Sequence, residues 1–170
     1  MSRKSRQDRA QTVWLGRNEL RAWLAYMRVQ QRLGYEMNRQ LQADSELSLA
    51  DYDVLNALSG VPGACMQVSA LAAQIGWERS RLSHHARRME GRGLVHCDLA
   101  TRDRRVTEIK LTRDGRRAIV EAAPGHVDLV RHLFFEGLPK GLLVPLTDAL
   151  QAIYDHIVQH GTLPPPASEP

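Results

Sequence analysis

Ser80-Arg-Leu-Ser-His-His-Ala-Arg-Arg-Met-Glu-Gly-Arg-Gly-Leu-Val95, followed closely by Leu99-Ala-Thr-Arg-Asp-Arg104, decides how this 170-residue chain folds. At about 100° per residue, Leu82, Ala86 and Met89 share one narrow arc of a helix running from about Arg79 to Gly91. That arc is its inward face. Ser80, His84 and Arg87 fall opposite, flanked by Arg81, Ser83 and Arg88. A solvated charged face is the plain account of such a helix. An outer face of Arg, Ser and His is also what a reader of the DNA major groove requires. The sequence that follows decides between the two. After Gly93 the hydrophobic period drops to two, and Leu94–Asp98 and Arg105–Leu111 read as strands. The second strand alternates Thr107, Ile109 and Leu111 against Glu108 and Lys110. The polar segment Leu99–Arg104 is then a hairpin tip.

Working outward, a short helix precedes the charged one. Ser69 is placed to cap it, Leu71, Ala72 and Ile75 give it an apolar face, and Gly76 stops it. Helix, turn, helix and basic hairpin together make a winged helix-turn-helix, in which the helix enters the groove and the hairpin sets arginines beside the backbone and minor groove. Upstream, Ser48-Leu-Ala-Asp51 reads as a capping box with Asp in place of Glu. It opens a helix through Leu58 that must end before Gly60-Val-Pro-Gly63. From Val13 to Gln42 there is no proline, and Leu20, Trp23, Leu24, Met27, Gly34, Met37 and Leu41 fall near one face of a long helix. Downstream, Thr112 caps a helix to about Glu136, with a kink or break expected at Pro124-Gly125. Leu138-Pro139 is expected to start a last helix whose stripe is Leu142, Leu146, Ala149, Leu150, Ile153 and Ile157, with Pro145 distorting its beginning. The fold class is mainly α with a small β-hairpin wing. A single domain spans 11–162: the winged helix-turn-helix at about 46–112, and a helical lobe from 13–42 and 113–161. Residues 1–10 and 163–170 read as a flexible arm and tail.

Charge placement supports the same division. Residues 77–117 carry twelve basic and six acidic side chains, whereas 118–170 carry two and six. A basic block on an otherwise acidic chain points to a polyanion surface on one part of the fold. Of the 23 basic residues 20 are Arg, whose fork suits phosphate and guanine. The uncharged stretch Ala57–Trp77 is broken by glycines and Pro62 and does not read as a membrane helix. No signal peptide is evident at the N-terminus. Two cysteines, Cys65 in a predicted loop and Cys97 in a predicted strand, fit a reducing cytoplasm rather than a disulfide scaffold.

From Ser80 to Val95, then at Asp103-Arg-Arg105 and Leu111-Thr112 before Gly115, the sequence resembles the MarR-type bacterial transcription regulators. The order of elements agrees from about Val13 to His160. The resemblance implies a homodimer that intertwines its first and last helices and binds a pseudo-palindromic operator in double-stranded DNA, usually as a repressor. Wide apolar stripes on the terminal helices point independently to an interface. Carried over by position, Ser80, Arg81, Ser83, His84 and Arg87 face the major groove, with Arg87 suited to guanine O6 and N7. Arg105 enters the minor groove, Asp103 orients it, and Arg102 and Arg104 meet phosphates. The resemblance also implies a small-molecule effector cleft, for which Trp23, Tyr26, Met27 and Tyr52 are the candidates; core packing explains these residues equally well.

Other chemistries weigh less. His156 and His160 have a metal-compatible spacing, and His84, His85, His126 and His132 add candidates, but no cluster brings cysteines or paired acids. Solvated or interface roles are the expectation, with no metal and no cofactor. Neither cysteine sits where a peroxide-sensing thiolate would. Asp51 and Asp53 are expected to diverge, and Ser83-His84 lack a shared base, so no enzyme activity is expected. The alternatives retained are a metal- or thiol-responsive sensor of the same fold and a sequence-indifferent architectural DNA-binding protein.

Overall fold

A computed structural model of the chain describes residues 14–100 and 105–166. Its elements are α1 (Arg17–Ser45), α2 (Leu49–Ser59), a 3-10 turn (Pro62–Ala64), β1 (Cys65–Gln67), α3 (Val68–Gln74), α4 (Arg79–Gly91), β2 (Val95–Leu99), β3 (Thr107–Leu111), α5 (Arg113–Val130), a π turn (Arg131–Phe135) and α6 (Leu143–His160). The chain divides into two bodies, one ending at Glu36 and one beginning at Met37. In the first, the Glu19 carboxylate accepts from Gly16 N at 2.6 Å and so caps the start of α1. Leu20, Trp23, Leu24, Tyr26 and Val29 are exposed along the helix.

The second body holds the core. α2 begins on the capping box read from sequence: Ser48 Oγ accepts from Asp51 N at 3.0 Å, and Asp51 Oδ2 accepts from Ser48 N at 2.9 Å. Leu49 N, which has no partner inside the helix, donates to Asn38 Oδ1 of α1. Val54, Leu55 and Leu58 of α2 pack with Leu71, Leu82, Met89, Ile109 and Leu41, all inaccessible to solvent. The predicted inner face of α4 is therefore the buried one. Truncating Leu82 or Met89 to Ala costs about 2–5 kcal/mol in such a setting.

The sheet is antiparallel with order β1-β3-β2. Ile109 sits at its centre, opposite Met66 on one side and Cys97 on the other. α4 closes in a Schellman motif: Gly93, at φ 74°, donates to Glu90 O, and Leu94 N donates to Met89 O. Thr112 then joins the hairpin to α5. Its Oγ1 donates to Gly93 O at 2.6 Å and accepts from Gly115 N at 2.9 Å. Gly115 is required there, because a Cβ would overlap Leu94 O and lie 2.9 Å from Leu111 Cδ1.

Four local expectations are corrected. α3 begins at Val68 after Gln67, with no side-chain cap, so Ser69 lies inside the helix. Cys65 is in a strand rather than a loop, because three residues pair with the far edge of β3. The α-helix runs through Pro124 without a break, and its irregularity comes later as the π turn, where Glu136 N donates to Arg131 O. The last helix starts at Leu143 and not at Leu138-Pro139. Gly141, at φ 84°, interrupts the chain between them. Pro145 is then in the first turn, ahead of Leu146 N, the first donor to a helix carbonyl, so its missing N–H costs nothing. No residue of α6 is buried, and Ile153 is 57% exposed. Among the described residues no helix is long and apolar enough to cross a membrane.

Candidate nucleic-acid interface

The outer face of α4 gathers most of the residues expected to read DNA. Ser80, Arg81, His84, Arg87 and Arg88 are exposed, while Leu82, Ala86 and Met89 seal the opposite side. Ser83 is half-buried, and its hydroxyl donates back to Arg79 O at 2.9 Å. It can therefore offer a ligand only acceptor lone pairs. Arg105 is exposed at the approach to β3. Arg102, Asp103 and Arg104 lie outside the described residues.

His85 is the main departure. Expected to take a solvated or interface role, it is buried in the core of its own chain at 8% exposure. Its position three residues after Leu82 and four before Met89 places it on the inner stripe, a signal present in the spacing. Arg88 Nη2 donates to His85 Nδ1 at 2.8 Å, and an arginine can only donate, so Nδ1 accepts and Nε2 carries the proton. Nε2 lies 2.9 Å from Asp51 Oδ1, bent away from a straight hydrogen bond. Asp51 Oδ2 also accepts from Arg92 Nη1 at 2.8 Å, and Arg92 Nη2 donates to Glu46 O.

One buried carboxylate thus completes the α2 cap, faces α4 and holds the residue that follows α4. Burial pushes the Asp51 carboxyl up, but contacts from His85, Ser48 and Arg92 outweigh it and hold the group below the ordinary carboxylate range. Asp53 behaves in the opposite way: burial raises its pKa, while the charges of Arg81 and His85 pull it back.

The remaining candidates separate into two places. Trp23 and Tyr26, with ring centroids 5.7 Å apart, and Met27 belong to the body ending at Glu36. Tyr52 is buried in the other, its ring 4.3 Å from that of His126. Beside this pair is a groove of about 420 Å³ lined by Asn56, Val130, Arg131 and Phe135. His126 Nδ1 is buried there without a hydrogen-bond partner among the described residues, and burial lowers the pKa of the ring. The rings of His156 and His160 are 4.3 Å apart, but no group of three metal-ligating side chains occurs among the described residues. Burial raises both thiols first, and Glu108 (for Cys65) or Glu90 (for Cys97) adds to it. An oxidant-sensing thiolate needs the opposite environment.

No protein-family model and no curated protein match the chain, whereas solved structures do. AbsC, a MarR family transcriptional regulator from Streptomyces coelicolor, is 35% identical with a TM-score of 0.79, over 86% of this chain and 98% of AbsC. Sco3205, a MarR family regulator from the same organism solved in complex with DNA, is 30% identical with a TM-score of 0.82, over 89% and 96%. CouR from Rhodococcus jostii RHA1, bound to p-coumaroyl-CoA, is 28% identical with a TM-score of 0.62, over 75% and 87%. Identity of this level along nearly the whole of AbsC and Sco3205, on a shared backbone, means that this chain belongs to the MarR family of transcriptional regulators.

Proposed function

We propose that the protein binds double-stranded DNA sequence-specifically as a homodimer and represses transcription from a pseudo-palindromic operator. The observation that carries this reading is the split of α4 into a sealed apolar face and an exposed face of Ser80, Arg81, His84, Arg87 and Arg88. In this reading Arg87 reads a base edge, with Ser80, Arg81, Ser83 and His84 beside it. Arg102 and Arg104 meet phosphates, and Arg105, oriented by Asp103, enters the minor groove. The DNA complex of Sco3205 supports it by similarity. A second copy of the chain is the partner that fits the uncovered apolar side of α6, and two-fold symmetry then sets half-sites about one helical turn apart. Selection of bound sequences from random DNA tests the reading. An inverted repeat is expected, and Arg87→Ala costs about 1–3 kcal/mol and relaxes preference at one base position per half-site. Equal binding to all sequences refutes it in favour of an architectural protein.

A small-molecule effector is a further part of this reading. The groove beside Tyr52 has an apolar wall, one orphaned ring nitrogen on His126 and a guanidinium on Arg131, an arrangement suited to an aromatic acid. The CouR complex supports the class by similarity. Release of the selected DNA by such a compound, lost in His126→Phe, is the expected result.

A further inference from the structure

Arg81, in the first turn of α4, has a built support. Its guanidinium carbon lies 4.0 Å from the ring centroid of Trp77, over the indole face. Trp77 is buried in turn, and its position follows from the sequence around it. Gly76, at φ 69°, ends α3 in a left-handed turn that returns Trp77 N to Ala72 O at 2.8 Å and directs the indole into the core. The imidazole of His85 meets the indole edge-on, with centroids 5.4 Å apart and planes at 86°. His85 is itself held by Asp51 and Arg88. A carboxylate, an imidazole, an indole and a guanidinium thus form one column from the core to the reading face.

We propose that Trp77 is a positioning residue for sequence reading: it holds the guanidinium of Arg81 in place before DNA arrives, and this makes Arg81 specificity-determining. The inference rests on the DNA-reading assignment of α4. An arginine seated over a ring face can still direct N–H donors outward, as forked recognition of a base edge or phosphate requires. It also has less rotamer freedom to lose on contact than an arginine reaching through water.

The test is a double-mutant cycle on the DNA selected by the wild-type protein and on its single-base variants. Trp77→Leu and Arg81→Ala each weaken binding, Trp77→Leu by about 2- to 12-fold, the cost of ordering one unsupported side chain expressed as a binding ratio. The double variant is no weaker than Arg81→Ala alone, and Trp77→Phe recovers most of the loss because a ring remains. Since Trp77→Leu opens the core, a second measurement uses the wild-type protein only. Arg81 side-chain protons are shifted upfield by the indole ring current in the free protein and stay so in the DNA complex. Additive losses, a Phe variant no better than Leu, or Arg81 protons leaving the ring current on binding overturn the proposal. Wild-type protein that prefers no DNA sequence refutes the assignment of α4 itself, and this inference with it, before any substitution is made.

Discussion

Replacing Asp51 by Ala removes one carboxylate and disturbs three segments of the chain. Ser48 N loses its capping-box acceptor, which costs about 0.5–2 kcal/mol. His85 Nε2, in a side chain only 10% exposed, loses the carboxylate oxygen 2.9 Å away, and an abandoned buried donor costs about 1–3 kcal/mol. Arg92 loses a 2.8 Å partner, but its side chain is 44% exposed and water replaces the carboxylate, so its share is about 0–1 kcal/mol. The expected loss is therefore about 1.5–6 kcal/mol, centred on about 3–4 kcal/mol, a large part of the 5–15 kcal/mol typical of a folded domain. At about 2–4 °C per kcal/mol for a chain of this size, Tm falls by roughly 6–16 °C.

Thermal and urea unfolding followed by circular dichroism at one protein concentration measures this, with Arg92→Ala as the control expected to lose under about 1 kcal/mol. Acid provides a second check. The folded-state pKa of Asp51 lies below that of the unfolded chain, so its contribution is full above about pH 4 and is lost as pH falls beneath that range. Wild type and variant should converge in strong acid. A loss below about 1 kcal/mol at neutral pH, no larger than that of the Arg92 control, refutes the idea that Asp51 organises the recognition helix.

Gly115→Ala is expected to destabilise by about 1–3 kcal/mol despite the better helix propensity of Ala, because the new methyl group meets Leu94 O and Leu111 Cδ1; unchanged urea unfolding contradicts it. Burial lowers the pKa of His126, so the unfolded chain binds the proton more readily, and stability should fall as pH drops from about 6.5 toward the lowered value and then level off. His126→Phe should remove that component, and an identical pH slope in both proteins excludes His126 as its source. Ile153 is exposed on α6, so Ile153→Asp acts only through assembly. Sedimentation equilibrium should show the proposed dimer in wild type and its loss in the variant, and a dimer in both moves the interface elsewhere.

What the sequence determined by itself is local. Leu82, Ala86 and Met89 are spaced to share one face of α4, and the structure buries all three. Ser48 with Asp51, and Thr112 with Gly115, form their caps across three residues. These features depend on groups within one helical turn, whose relative positions follow once the helix exists, so residue type and spacing suffice. What the tertiary structure decided depends on groups that meet only when the core assembles. Cys65–Gln67 is too short to show a period of two and is a strand only because β3 offers it an edge. Pro124, where the sequence leads one to expect a kink or break, lies inside a helix that continues through it. Asp51 and Arg92 are 41 residues apart, and no local pattern links them. His85 sits on the inner stripe in the sequence, yet a histidine there reads as solvated until its partners are known. Burial of an imidazole is tolerable only where both nitrogens face polar groups, and it is the packing of α2 against the recognition helix that places Asp51 on one side of the ring with Arg88 on the other.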